Sequence, residues 1–190
     1  MTNTKIIFLR HADTQKDPSV NAAMWGLSDL GNKQALDLSE DEILKTAEGV
    51  YVSSEKKTKL TIEPLVSKIN IDIKEDSNFD EVRRGDKFLT KEEFETEKNL
   101  QLEDFSYHAF GGESCFEALE RFKNQVEHIK SLNENKTIII VTHGTILTIY
   151  LAYILDIKDP QKIKERWKNT GFGKYAIVKD NVVIKDIVEF

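Results

Sequence analysis

Two runs of unbroken apolar sequence, each ending in a histidine, constrain this chain more than any other feature. The first is Ile6, Ile7, Phe8 and Leu9, followed by Arg10 and His11; the second is Thr137 through Thr142, rich in isoleucine and valine, followed by His143 and Gly144. Runs of large apolar residues without polar alternation read as central strands covered on both faces, the situation of strands in a parallel sheet flanked by helices. In open α/β sheets ligands collect beyond the carboxyl ends of the strands. Arg10, His11 and His143 are thereby expected at one rim. The first run alone would also suit an edge strand ending in a solvated Arg-His pair, but two such strands, each followed by a helix, make a far more specific pattern.

The 190 residues, 39% of them hydrophobic, suffice for one domain with a substantial core, and residues 1–190 are read as a single domain. Lys and Arg number 27 against 33 Asp and Glu. A mildly acidic chain lacks the basic excess of a nucleic-acid binder, so any anionic substrate has to be met by a local positive pocket. The stretch 137–155 is long and apolar, but His143, Gly144 and several threonines interrupt it, which favours a buried strand and helix over a membrane span. One cysteine and the lack of a charged-then-apolar leader point to the cytoplasm. His108 and His128 have no metal-ligand spacing with each other or with an acidic cluster, so neither metal nor cofactor is expected.

In chain order, Ser28 is a suitable N-cap for a helix with a Leu30, Ala35, Leu38 stripe, and a short helix is expected over Glu40 to Ala47, closed by Gly49. Val50 to Val52 form a strand, a helix begins between Ser53 and Lys59 and is kinked or restarted at Pro64, and Ile69, Ile71 and Ile73 alternate as a strand. Lys91 to Lys98 suit an acidic helix. Glu113 opens a long helix with the stripe Phe116, Leu119, Phe122, Val126, Ile129, Leu132; Pro160 to Trp167 form another, and a hairpin turns at Asp180 and Asn181. Trp25, in the polar loop after His11 that contains Pro18, suits either a pocket wall or a place in the core. Lys56, Lys57 and Lys59 suit a solvated helix face or a pocket cation.

Arg10 and His11 resemble the Arg-His-Gly signature of the histidine phosphatase superfamily, the phosphoglycerate mutase-like branch, with Ala12 at the glycine position. The resemblance runs through most of the chain. Asp13 and Thr14 match the following loop, with Asp17 where an Asn is usual; Leu27, Ser28, Gly31, Gln34 and Ala35 match the first helix. Ser53 to Thr61 align without gaps to a Ser-x-x-x-Arg-Ala-x-x-Thr-Ala segment, placing Lys57 at the arginine. Glu81 followed by Gly85, then Gly112, Glu113 and Ser114, and finally His143 and Gly144 complete it.

The resemblance implies a three-layer α/β/α sandwich with a mostly parallel central sheet. It also implies metal-independent hydrolysis of a small phosphorylated metabolite through a phosphohistidine; a monomer or homodimer is expected. His11 would be the nucleophile, Glu81 the general acid with Asp80 as the fallback, and Arg10, Lys57 and His143 the groups that stabilise charge, helped by the amides of Gly144 and Thr145. Asp17 would lie at the substrate, where a carboxylate repels phosphate unless it turns away. Lysine at 57 keeps a charge but loses the two-pronged guanidinium grip, a deficit of about 1.5–3 kcal/mol if one charge-assisted bond is lost. Residues of about 83–112 would form a lid, with Phe88, Phe94, Phe105, Tyr107 and Phe110 selecting the leaving group and Arg83 and Arg84 available to a second anionic group. The rivals are a phosphoglycerate-type mutase, disfavoured because Val82, Arg83 and Arg84 follow Glu81, and a phosphate-binding module without turnover. Cys115 and Arg121 show cysteine-phosphatase spacing, but the residues between them hold no glycine and continue a helical stripe, which makes the spacing coincidental.

Overall fold

The fold is that of a computed structural model in which residues 3–17, 19–85 and 90–188 are described. Pro18 and the lid's Phe88 lie outside the described residues. Strand β1 (Lys5–Arg10) pairs in parallel with β4 (Thr137–Thr142) along its whole length, Ile7 opposite Ile139 and Arg10 opposite Thr142. β2 (Gly49–Val52) lies on the other side of β4 and β3 (Ile73–Glu75) beyond it, both parallel. β5 (Tyr175–Lys179) runs antiparallel to β1, and β6 (Val182–Lys185) antiparallel to β5, giving the order β3-β2-β4-β1-β5-β6.

The absence of alternation in β1 and β4 is explained by cover on both faces. Ile6, Phe8, Ile138 and Ile140 pack with α4 (Cys115–Leu132), α5 (Gly144–Ile154) and α6 (Pro160–Asn169). Their neighbours Ile7, Leu9, Ile139 and Val141 face α1 (Asp29–Leu38) and α2 (Lys56–Ile69). The sandwich is three layers deep, and helix α3 (Lys91–Glu103) packs outside it against α6. Among the described residues no helix is long and apolar enough to cross a membrane.

Local readings failed where packing overrode sequence pattern. α2 runs without interruption through Pro64, because Ile62, Leu65 and Val66 are buried on either side of it. The helix includes Ile69 and ends at Asn70 in the left-handed region, so only Ile73 of the expected alternation lies in a strand. Between Glu40 and Ala47 there is only a 3-10 turn at Leu44–Thr46, and Gly49 begins β2. The long helix starts after Ser114, whose hydroxyl and Glu117 form a capping box, and its stripe is Cys115, Ala118, Leu119, Phe122, Val126 and Ile129. Phe116, Leu132 and, in α1, Leu30 face solvent.

The first turn of α1 docks directly on the loop after His11. Ser28 Oγ donates to Asp13 Oδ2 at 2.6 Å, and a Cβ on Gly31 would stand 2.0 Å from the Asp13 carbonyl oxygen. Gly31→Ala is therefore expected to destabilise the protein by about 1–3 kcal/mol, lowering the thermal midpoint by several degrees in a circular dichroism melt. An unchanged midpoint would show that the loop yields freely.

Candidate active site

Because β1 and β4 end side by side, the residues that follow them meet. The His11 and His143 ring centroids are 5.1 Å apart. His11 is buried, and its Nδ1 lies 2.8 Å from the carbonyl oxygen of Ala12. A carbonyl only accepts, so Nδ1 carries the proton and Nε2 keeps its lone pair. Burial, reinforced by His143, Lys57 and Arg10, holds the imidazole neutral well below its ordinary titration range. The loop is pinned from α2: the Ala12 amide donates to Thr61 Oγ1 at 2.9 Å, and that hydroxyl donates to the Lys57 carbonyl at 2.7 Å.

Arg10 lies with its guanidinium carbon 3.8 Å above the Phe172 ring and donates through one Nη to the Thr170 carbonyl, while its buried Nε has no partner among the described residues. Any side chain at position 144 would displace it, since a Cβ there would stand 2.9 Å from the Arg10 Cζ. His143 Nε2 shares a 2.8 Å hydrogen bond with Ser53 Oγ at the end of β2. Burial pushes His143 down to about 3 against the opposing pull of Glu81, so in the resting site it offers a hydrogen bond and no charge. Its expected part in neutralising a phosphoryl group has to await the arrival of that group. The lysine run is divided: Lys56 and Lys59 are exposed, whereas Lys57 is buried, with Nζ 2.6 Å from Glu55 Oε2 and donating to the Ala22 carbonyl at 2.9 Å.

Asp17 does not join this group. Its exposed carboxylate accepts from the Ser19 amide and hydroxyl at 2.9 and 2.6 Å, and its carbonyl receives the indole N–H of half-buried Trp25 at 2.7 Å. A short Asx turn satisfies the exposed carboxylate locally. Glu81 does reach the site, but in a different state from the one expected. Its carboxylate accepts from the amides of Thr145 and Ile146, both at 2.9 Å, and of Val82 at 3.0 Å, capping the N-terminus of α5. Burial alone would raise its pKa, but the charge that His143 gains once protonated, the Lys98 ammonium and the Thr145 amide outweigh that and hold the group ionised, far below the usual carboxylate range. The expected protonated acid is an anion here, and it occupies the Thr145 amide that was expected to meet phosphate. Asp80 is turned to the Ser54 amide and hydroxyl, both at 2.8 Å.

The sequence pattern of the histidine phosphatase superfamily, branch 1, matches residues 6–189. The chain belongs to that superfamily. Among solved structures, a mycobacterial glucosyl-3-phosphoglycerate phosphatase superposes with a TM-score of 0.76 at 17% identity, over 97% of this chain and 99% of that one. Phosphoserine phosphatase from Entamoeba histolytica, in complex with 3-phosphoglyceric acid, gives a TM-score of 0.77 at 19% identity, over 96% and 95% of the two chains. At such identities the likeness is one of fold. No curated protein matches the chain in sequence.

Several groups that shape this histidine phosphatase site were given no role in it from sequence. Glu113 and Arg121 form a fork, Nε to Oε1 at 2.9 Å and Nη2 to Oε2 at 2.7 Å, and Arg121 also donates to the Asn78 carbonyl at 2.7 Å. They anchor the loop that presents Glu81, which gives the matched Gly112, Glu113, Ser114 stretch a physical role. With Arg121 so engaged, the cysteine-phosphatase spacing is empty: burial pushes the Cys115 thiol up to about 12, away from the thiolate that such chemistry needs. Cys115→Ser is expected to leave turnover within about twofold of wild type, and a large loss would reopen that mechanism.

Lys98 reaches in from α3, 2.5 Å from Gln101 Oε1 and 3.0 Å from Thr145 Oγ1, and burial pushes its ammonium down to about 8. It lies within reach of the Phe94, Phe110 and Trp167 rings, and the Arg84 guanidinium stands over Phe94 and Phe110. Nothing in the acidic sequence of α3 marks Lys98 as buried. Glu55 was legible in principle, as the one acidic residue between Ser53 and Lys57. Among the described residues no cluster of three or more His, Cys, Asp or Glu side chains is placed to hold a metal ion.

Proposed function

We propose that the chain is a phosphomonoesterase that works through a phosphohistidine on His11, without a metal ion, on a small phosphorylated metabolite. The observation that carries this reading is a buried, neutral imidazole whose Nδ1 proton is tied to a carbonyl, leaving Nε2 free beside Arg10 and His143. Such a nitrogen attacks phosphorus in line, the ester oxygen departs, and water then cleaves the P–N bond. Arg10 and Lys57 supply fixed positive charge toward the phosphoryl oxygens, and His143 adds a hydrogen bond. The names of the two structural neighbours, both phosphatases, agree with this chemistry. Arg84, stacked on the lid aromatics, favours a substrate with a second anionic group.

The test is to mix the protein with p-nitrophenyl phosphate in excess chelator and quench during turnover. Release of p-nitrophenol and a phosphoryl group on the peptide containing His11, seen by mass spectrometry, are the expected results. Neither release nor a phosphorylated protein would overturn the proposal.

A further inference from the structure

The cradle that a phosphoryl group would enter already holds a carboxylate. Glu55, the N-cap of α2, makes no side-chain capping bond; its side chain is 14% exposed, with Oε2 2.6 Å from Lys57 Nζ and Oε1 3.4 Å from His143 Nε2. Its backbone is fixed, the amide donating to Ser53 Oγ at 3.2 Å and the carbonyl accepting from the Thr58 amide at 3.1 Å and hydroxyl at 2.7 Å. The Glu81 amide faces the same carboxylate at 3.4 Å. One side chain thus bridges two of the groups assigned to the phosphoryl oxygens. We propose that Glu55 is a specificity-determining residue: it makes the site select a phosphoryl group that still carries a proton, whose P–OH donates to the Glu55 carboxylate.

This role rests on the phosphatase reading above, and the donors of Lys57 decide how a ligand meets Glu55. An ammonium has three N–H bonds. Lys57 gives one to Glu55 and one to the Ala22 carbonyl at 2.9 Å, which leaves one for a ligand without expelling the carboxylate. A phosphoryl oxygen bound there lies beside a carboxylate oxygen on the same cation. Two anionic oxygens in contact repel each other; with a proton between them they form a charge-assisted hydrogen bond. The monoanion of a phosphomonoester has that proton and its dianion lacks it, whereas the hydrogen phosphate product keeps one. The proton stays on the phosphoryl group, and protonation of the leaving oxygen belongs to Glu81. The charged or titratable groups facing Glu55 are Lys57 from α2, His143 at the start of α5, and Asp80 and Arg84 from the loop around Glu81.

The experiment titrates inorganic phosphate and sulfate into the full chain by calorimetry at about pH 8, where both ions are tetrahedral dianions and only phosphate has a proton to donate. The wild type should bind phosphate about ten- to a hundredfold more tightly than sulfate, the worth of one hydrogen bond to a charged group. Glu55→Gln should bring the two ions within about threefold of each other, chiefly by binding sulfate better, and Glu55→Ala carries the test if the glutamine variant does not fold. With an ester, wild-type kcat/KM for glycerol 2-phosphate should fall about tenfold per pH unit above about 6, where the last proton leaves, and Glu55→Gln should flatten that fall. Equal wild-type affinities for the two ions, or a preference for phosphate that survives in Glu55→Gln, would overturn the assignment, and trapping of phosphorylated His11 in the same protein would leave the function proposed above intact. A wild type that prefers phosphate through Glu55 and is never phosphorylated would remove that function and keep the role of Glu55.

Discussion

Alanine at position 11 should lower phosphomonoester turnover at least about a thousandfold, equivalent to about 4 kcal/mol of transition-state stabilisation. The magnitude follows from what is removed. No other described imidazole in the site has a free nitrogen with its partner nitrogen tied to a carbonyl: His143 Nε2 is already bonded to Ser53 and faces Glu55. Water attacking the ester directly would still have Arg10 and Lys57 to stabilise charge, so the residual rate should exceed that of the uncatalysed reaction. The same variant should still bind inorganic phosphate, within about tenfold of wild type, since its cations are untouched. A loss of turnover below about tenfold, measured as kcat/KM on p-nitrophenyl phosphate, would mean that His11 is not the nucleophile.

Acid should unfold this protein through its active site. Both site histidines are held neutral by burial, His11 well below its usual 6.5 and His143 down to about 3. Above about pH 6.5 neither the folded nor the unfolded chain protonates them, and nothing is lost. As pH falls below that value the unfolded chain takes up protons that the folded one refuses, so stability declines across the whole interval down to about 3. For His143 alone the full interval corresponds to about 5 kcal/mol, a large fraction of the roughly 5–15 kcal/mol that stabilises a typical domain. Glu81 works in the same direction lower down: its folded form stays ionised, so its contribution is intact above about 4.5 and fades as pH drops below that. Urea midpoints measured between pH 7.5 and 4.5 follow the two site histidines. A decline that becomes shallower in His143→Gln is the expected result. A flat profile over that range would show that the rings are hydrated and titrate normally.

The rim of the site was legible because its parts are local in sequence. Arg10 and His11 follow directly on one buried strand, His143 and Gly144 on another, and unbroken apolar runs can be satisfied only between two layers of helices. Ser28 and Gly31 were legible for the same reason, as a cap and a small residue at a fixed offset. Where the notation of residues ran out was in the direction of charged side chains. Lys57 and its neighbours Lys56 and Lys59 are the same in type, and only the rotation of α2 against the sheet buries the first and exposes the others. Asp17 falls at a position that invites a ligand role, yet a turn with Ser19 points it outward.

Residue type and spacing were enough to specify two buried histidine-ended strands and to put Arg10, His11 and His143 at one rim, since strand burial and chain continuity leave those side chains few places to go. The protonation states were settled only by assembly. Glu81 becomes a fixed anion because the N-terminus of α5, sixty-odd residues on, aims its amides at it, and Glu55 meets His143 only because β2 and β4 end side by side. A proton's residence depends on every dipole and charge within a few ångströms, and which of those come together is a property of the folded surface that no linear spacing encodes.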